Sequence, residues 1–127
     1  MSSKGLPFSV GLDIIEVDRV ASLAKRNPRF LQRVFTAEER RYCLGKRKKW
    51  QHFAVRFAAK EAVWKALGLR GLSLRDISVQ RDRFGRPSVT LEGRPAGSIQ
   101  ISLSHSDTYA AAVAVLLETP ASRKRKG

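Results

Sequence analysis

Hydrophobic and polar positions along the chain predict a leading strand followed by two short helices. The segment Phe8–Val17 is apolar and rich in β-branched residues, which is typical of a strand. Asp18 then opens a helical stretch, Arg19–Arg26, that is broken near Asn27-Pro28. A second short helix is predicted over Arg29–Val34.

A capping pattern marks the start of the next helix. Thr36 is followed three residues later by Glu39, which fits a capping box: the hydroxyl caps the helix and the carboxylate reaches back. We expect this helix to run through about Leu44 and to end at Gly45. The segment Lys46–Lys49 then forms a basic loop.

The rest of the chain is predicted to hold one long helix and then strands. Trp50–Leu67 is the strongest helical pattern, and Gly68 is suited to terminate it. The predicted strands, with a turn at Phe84–Pro87 after the first of them, are Asp76–Arg81, Ser88–Leu91, Ile99–His105 and Tyr109–Leu117. Helices grouped first and strands later predict an α+β fold with a mainly antiparallel sheet. We expect residues 1–118 to form a single domain and residues 119–127 to form a basic, disordered tail.

Composition excludes several classes of protein. With 127 residues and 43% hydrophobic positions, the chain is long and apolar enough for one folded core. Its longest uncharged apolar run, Tyr109–Leu117, is far shorter than the roughly 20 residues of a membrane span. A single cysteine, Cys43, excludes an internal disulfide and a cysteine-based zinc site. The start of the chain lacks a hydrophobic signal segment, so we expect a cytoplasmic protein.

Charge indicates the kind of partner. The chain has 25 Lys and Arg residues against 11 Asp and Glu residues, which gives a formal net charge of +14. A surface this basic favours an anionic partner: a nucleic acid, an anionic lipid, a phosphorylated ligand or an acidic protein. The net charge alone does not choose among these partners.

One carboxylate lies on the apolar side of the longest predicted helix. On a helical wheel, Glu61 falls inside an apolar arc. The arc consists of Phe53, Trp64, Phe57, Trp50, Ala54 and Ala58. An unpaired buried charge is costly, so Glu61 needs compensation. Two sources fit: an ion pair with Lys65 one turn further on, or a metal ion or substrate.

Two further polar residues interrupt apolar strands. Asp13 lies beside Gly11 in the leading strand: either the glycine leaves room for a ligand or a backbone to approach the carboxylate, or Asp13 is a strand-end cap for a neighbouring turn. His105 ends the inward-facing row of its strand, as a core histidine or as a site residue. Two carboxylates with basic groups nearby suit Mg²⁺ and phosphoryl transfer, because Mg²⁺ takes carboxylate and phosphate oxygens.

Four segments in order resemble the holo-[acyl-carrier-protein] synthase family, the small class of 4′-phosphopantetheinyl transferases. The segments are Val10–Val20, Phe35–Cys43, Arg56–Gly68 and Ile101–Ala110. The run R-F-A-A-K-E-A-V-W-K-A-L-G is the most specific, and G-L-D and S-L-S-H support it independently. The resemblance implies an α+β fold and the transfer of phosphopantetheine from coenzyme A to a serine of an apo-acyl carrier protein, with release of adenosine 3′,5′-bisphosphate.

The resemblance also implies roles for individual residues. It makes Asp13 and Glu61 the ligands of a catalytic Mg²⁺ and Lys65 the cation that assists the leaving group. The implied coenzyme A-binding residues are Arg56, Lys60, Lys65, His105, Lys46, Arg47 and Lys48. The acceptor of the serine proton, a metal-bound water or a carboxylate, stays open.

Partners follow from the same resemblance. An acidic acyl carrier protein would dock on Arg19, Arg26 and Arg29, and the family usually assembles as trimers with sites between subunits. The chain departs from the family pattern by a short linker over residues 93–100 and by its basic tail. Two alternatives remain: a nucleic-acid-binding module that uses the basic surface, and an inactive homologue that only binds carrier protein.

Overall fold

The computed structural model describes residues 6–68 and 71–118, and it has the predicted α+β organisation. The helices are α1 (Val17–Arg26), α2 (Phe30–Val34), α3 (Ala37–Leu44) and α4 (Lys49–Ala66), with a 3₁₀ helix at Leu74–Asp76. The strands are β1 (Phe8–Glu16), β2 (Ile77–Arg81), β3 (Pro87–Leu91), β4 (Arg94–Pro95), β5 (Ile99–His105) and β6 (Tyr109–Leu117). The predicted tail lies outside the described residues.

The strands form two antiparallel sheets rather than the one that the sequence predicts. The main sheet has the order β1-β6-β5, and the small sheet has the order β2-β3-β4. Along the whole of β1 each residue pairs with β6, from Phe8 opposite Leu117 to Glu16 opposite Tyr109. The two sheets are separate because β2 and β3 pair with each other in a hairpin and not with a strand of the main sheet.

Local signals in the sequence locate most elements. The Thr36–Glu39 capping box is present, with the Glu39 N–H donating to Thr36 Oγ1 at 3.2 Å and the Thr36 N–H donating to Glu39 Oε1 at 2.9 Å. Gly68 has φ +76°, a backbone conformation that favours glycine after a helix. The two-residue strand β4 was not predicted. A left-handed turn at Glu92 and Gly93 folds the short linker back onto β3 and so creates it.

Helix α4 lies at the centre of the molecule, and the predicted apolar arc describes it only in part. Phe53, Ala54 and Ala58 are buried as expected, whereas Glu61 and the aromatic residues Trp50, Phe57 and Trp64 are only partly buried. The helix is also buried on its other sides, at Val55, Arg56, Ala59, Lys60, Ala62 and Val63. A single apolar arc does not describe the burial of α4, because the helix contacts the main sheet, the small sheet and α3 on different sides. No helix among residues 6–68 and 71–118 is long and apolar enough to span a membrane.

Candidate functional site

Strand β1 crosses α4 at unusually short range, and a glycine permits it. A Cβ atom on Gly11 would overlap the carbonyl oxygen of Ala62 and would lie 2.9 Å from the Ala66 nitrogen. Ser9 Oγ also donates to the Ala66 carbonyl oxygen at 2.7 Å. Because side chains alternate along a strand, Asp13 shares the helix-facing side with Gly11. The crossing therefore brings the Asp13 carboxylate to α4.

Three of the predicted site residues meet at this crossing. Lys65 Nζ lies 3.3 Å from Asp13 Oδ1 and donates to the Leu12 carbonyl oxygen at 3.0 Å. The Asp13 side chain is 18% exposed and that of Lys65 is 47% exposed, so the pair is open to a ligand on one side. Glu61 lies one turn before Lys65 on the same helix. The Lys65 ion pair is thus made with Asp13 on the strand, not within the helix as helix spacing alone suggests.

The electrostatics of Glu61 show why a cation would be favoured there. Burial, and then the Asp13 charge, raise the pKa of the Glu61 carboxyl, while Lys65 opposes that shift. The two carboxylates therefore share one site in which the charge of Lys65 does not fully offset their burial and mutual repulsion. Within residues 6–68 and 71–118 no group of three or more His, Cys, Asp or Glu side chains is placed to hold a metal. The donor set is that of Mg²⁺, which often takes one or two carboxylates and completes its shell with phosphate and water oxygens.

A second cluster surrounds His105 at the end of β5. His105 Nδ1 lies 3.0 Å from Gln51 Oε1, and the Gln51 amide donates to Asp107 Oδ1 at 2.7 Å. Lys48 Nζ lies 3.2 Å from the same Asp107 oxygen. The His105 ring is 5.9 Å from the ring of His52 on α4. His105 and Asp13 lie on the same face of the main sheet, since their positions are in register with Ala110 and Ala112 of β6.

Cations and an aromatic ring extend this second cluster. The Arg56 guanidinium lies 4.3 Å and Lys46 Nζ 4.6 Å from the centre of the Tyr42 ring. Arg56 is 4% exposed, and its Nε has no hydrogen-bond partner among the described residues. Burial, then Arg56 and His105, lower the pKa of His52. The site residues predicted from the sequence did not include Tyr42 and His52. The only signal for them is that each lies close in sequence to a predicted cation.

A cavity of about 430 Å³ lies beside this cluster, lined by residues of α4, of β5 and of the β2–β3 hairpin. We call it the seam cavity. It is lined by His52 and Val55 of α4, Arg81 of β2, Pro87 of β3 and residues 101–105 of β5. Glu61 follows His52 by nine residues of helix, so the carboxylates and the seam cavity lie about 14 Å apart along α4. The arrangement suits an extended ligand with negative groups at two places.

The structure corrects the predicted role of Lys60. Its side chain is 0% exposed, and Lys60 Nζ lies 2.6 Å from Glu39 Oε1 in the core. Lys60 Nζ also donates to the carbonyl oxygens of Leu74 and Ile77. A lysine with all its hydrogens in internal contacts does not line a phosphate site. Sequence reasoning missed this because a lysine in a helix gives no sign of burial on its own.

The remaining predicted residues lie at the surface. Arg19 and Arg26 of α1 are exposed, as is Arg29, which follows α1. Arg47 is exposed next to Lys46 and Lys48 in the loop before α4. Arg19 is six residues beyond Asp13, on the helix that follows β1 directly in the chain.

Comparisons with known proteins agree on one family. The family model for the 4′-phosphopantetheinyl transferase superfamily matches residues 9–114. A holo-[acyl-carrier-protein] synthase of Moorella thermoacetica is 48% identical over 120 residues, covering 86% of this chain and 93% of that protein.

Solved structures give the same result. The Bacillus anthracis holo-(acyl-carrier-protein) synthase in complex with CoA (3′,5′-ADP) aligns with a TM-score of 0.75 at 32% identity, over 87% of this chain and 96% of that one. The Helicobacter pylori enzyme in complex with coenzyme A aligns with a TM-score of 0.72 at 30% identity, over 84% and 98%.

Proposed function

This chain belongs to the 4′-phosphopantetheinyl transferase superfamily, and we propose that it acts as a holo-[acyl-carrier-protein] synthase. In this reaction a serine hydroxyl of an apo-acyl carrier protein attacks the phosphorus that carries the pantetheine arm of coenzyme A. A new oxygen–phosphorus bond forms, the bond to the adenosine-bearing phosphate breaks, and adenosine 3′,5′-bisphosphate leaves. The observation that carries the proposal is the meeting of Asp13, Glu61 and Lys65 at the crossing of β1 and α4.

We assign Mg²⁺ to Asp13 and Glu61, as the resemblance implies. When bound, the ion would neutralise charge on the pyrophosphate of coenzyme A. The raised pKa of Glu61 supports the assignment, because a cation beside two carboxylates removes their mutual repulsion. Lys65 is already held next to Asp13 and is half exposed, so its ammonium can contact the departing phosphate.

The seam cavity and its basic rim are the proposed site of the nucleotide part of coenzyme A. His105, Arg56 and the loop residues Lys46, Arg47 and Lys48 supply positive or hydrogen-bonding groups around it. Nearby, the Tyr42 and His52 rings lie 5.8 Å apart and offer aromatic surface for a base. This placement leaves the pyrophosphate about 14 Å away along α4, next to Asp13.

Exposed arginines on and just after α1 are the proposed docking site for an acidic acyl carrier protein. Arg19, Arg26 and Arg29 all point into solvent, on or just after the helix that continues from β1. A carrier bound there would present its serine close to Asp13, and complementary charge would speed the encounter. This arrangement favours a carrier protein over nucleic acid, which would not need the carboxylate pair.

The outer face of the main sheet supports a homotrimer. On β1, Val10 is 53% exposed, and Leu12 and Ile14 are each 65% exposed. Their partners on β6, Val115 and Val113 among them, are also apolar, so the surface is continuous across two strands. An exposed apolar surface of this kind is typical of a subunit interface. We propose that copies of this chain cover it, as in the trimers that the resemblance implies.

The proposed activity is tested by intact mass measurement of an apo-acyl carrier protein incubated with this protein and coenzyme A, with and without Mg²⁺. We expect a phosphopantetheine mass gain that requires Mg²⁺ and is lost with Asp13→Asn and Glu61→Gln. Glu38→Gln, which alters an exposed carboxylate on α3, is the matched control. No gain from folded protein with several carriers would refute the transfer. A gain that survives both substitutions would refute only the metal assignment.

A further inference from the structure

One edge of the small sheet is held by two side chains of opposite charge instead of by a further strand. β2 is one of the two edge strands in the order β2-β3-β4. The Glu92 N–H donates to the Asp76 carbonyl oxygen at 2.8 Å, so even-numbered positions of this segment bond towards β3. Because alternate residues of a strand direct their backbone groups to opposite edges, Ile77 and Val79 direct theirs to the free edge.

Glu39 and Lys60 occupy that free edge. Glu39 Oε2 accepts the Val79 N–H at 2.8 Å, and Lys60 Nζ donates to the Ile77 carbonyl oxygen. Glu39 Oε1 and Lys60 Nζ also form an ion pair with each other, at 2.6 Å. The carboxylate supplies the acceptor and the ammonium supplies the donor that a neighbouring strand would provide.

The pair is buried and fully bonded. Both side chains are at most 1% exposed. Glu39 Oε1 also accepts the Thr36 N–H at 2.9 Å, and Lys60 Nζ donates to the Leu74 carbonyl oxygen at 3.1 Å. Apolar side chains of similar volume generally stabilise a core as well as a buried ion pair does. Unlike apolar side chains, the pair makes directional hydrogen bonds. These bonds connect the Val79 N–H and the Ile77 carbonyl oxygen of β2 to Glu39 of α3 and Lys60 of α4.

β2 and α4 both contribute to the lining of the seam cavity. Arg81 of β2 lines it together with His52 and Val55 of α4. We infer that the buried Glu39–Lys60 pair positions β2 relative to α4 and thereby sets the fit of the seam cavity to the nucleotide part of coenzyme A. This inference rests on the proposed function. It makes Glu39 and Lys60 positioning residues that act through β2.

The test compares direct binding of coenzyme A by calorimetry with steady-state kinetics of the full chain. The double variant Glu39→Leu/Lys60→Met removes both charges together, because either single apolar substitution would leave one buried charge unpaired. We expect a folded protein whose Kd and KM for coenzyme A rise on the order of tenfold, with the KM for carrier protein unchanged. Glu39→Asp, which keeps the charge and shortens its reach, is expected to shift the same two constants in the same direction.

A matched control separates positioning from stability. Val20→Ala removes buried volume from α1, in the part of the core that does not include β2, and should lower stability without changing the Kd for coenzyme A. If folded Glu39→Asp and the double variant bind coenzyme A within twofold of wild type, the inference is overturned. If the double variant does not fold, Glu39→Asp alone decides the question. Failure of the wild-type protein to bind coenzyme A would instead refute the proposed function.

Discussion

Gly11 of β1 lies against the carbonyl group of Ala62 of α4 so closely that a Cβ atom at position 11 would overlap the oxygen. The contact places Asp13, two residues further along the same face of β1, beside Lys65. The carboxylate site therefore depends on the separation of one strand and one helix. Gly11 has no functional side chain, yet it determines whether Asp13 and Lys65 come into contact.

Gly11→Ala is expected to destabilise the protein by about 3 kcal/mol or more, because the methyl group meets backbone atoms that cannot rotate away. Urea unfolding monitored by circular dichroism measures the change. Gly97→Ala is the control, since a Cβ there has no neighbour within 4 Å in the part of the chain that the structure describes, and it should leave the unfolding curve within experimental error. Equal stability of the two variants would contradict the close crossing.

Glu61→Gln is expected to abolish most transfer activity while leaving stability unchanged or slightly higher. Burial and the Asp13 charge raise the pKa of Glu61, so its ionised form weakens the fold as the pH rises through that pKa. A neutral amide removes this effect, but it also removes a proposed metal ligand, at a cost on the order of a hundredfold in rate or more. Thermal unfolding at pH 5 and pH 8 tests the predicted effect on stability. Single-turnover kinetics test the predicted loss of activity. A loss of stability at pH 8 would show that the charge supports the fold.

Leu12→Lys should disrupt the assembly and leave the subunit folded. Leu12 is 65% exposed at the centre of the outer apolar face, so a lysine costs little in one chain and much in an interface. Size-exclusion chromatography with light scattering should show the mass falling from that of a trimer towards that of a single chain. Leu44→Lys introduces the same charge at an exposed leucine on α3 and should preserve the trimer. A wild-type protein that is already monomeric would refute the proposed assembly.

Arg19→Glu should raise the KM for acyl carrier protein roughly fivefold to tenfold at low salt and leave the KM for coenzyme A unchanged. The effect should shrink as salt screens the charges. Arg94→Glu carries the same charge reversal at an exposed residue of the small sheet and serves as the control. If the two variants behave alike, net charge and not the α1 surface governs the encounter.

Cys43 should resist thiol reagents until the protein unfolds. Burial raises the pKa of its thiol to about 11, so the side chain is protonated and enclosed at neutral pH. Ellman's reagent should therefore react at the global unfolding rate in buffer and at once in denaturant. The raised pKa also contributes stability that is present in full below pH 9 and is lost as the pH rises through about 11. Fast reaction in native buffer would show that α3 opens locally.

The features that the sequence predicted well are those determined by neighbouring residues. The Thr36–Glu39 capping box and the alternation over Ile99–His105 involve only adjacent positions, and both elements occur where they were predicted. Asp13, Glu61 and Lys65 do meet, although the partner of Lys65 is on a distant strand.

The features that were missed depend on contacts between distant segments. Burial of Lys60 requires Glu39 and the β2 backbone, which are 21 and 17 residues or more away in sequence, and no local pattern encodes that. The split into two sheets depends on which strand pairs β6, and alternation alone does not specify pairing partners. His52 joins the basic cluster only because α4 passes the end of β5.

The pairing of β1 with β6 also determines when this protein can fold during synthesis. The innermost strand of the main sheet, between β1 and β5, is the last one made. Until residue 117 has left the ribosome, β1 lacks its strand partner among the described residues, and the part of α4 that contacts β6 is uncovered. A nascent chain that stalls before β6 therefore exposes the edge of β1 and this part of α4 at once, which makes it a substrate for chaperones and proteases.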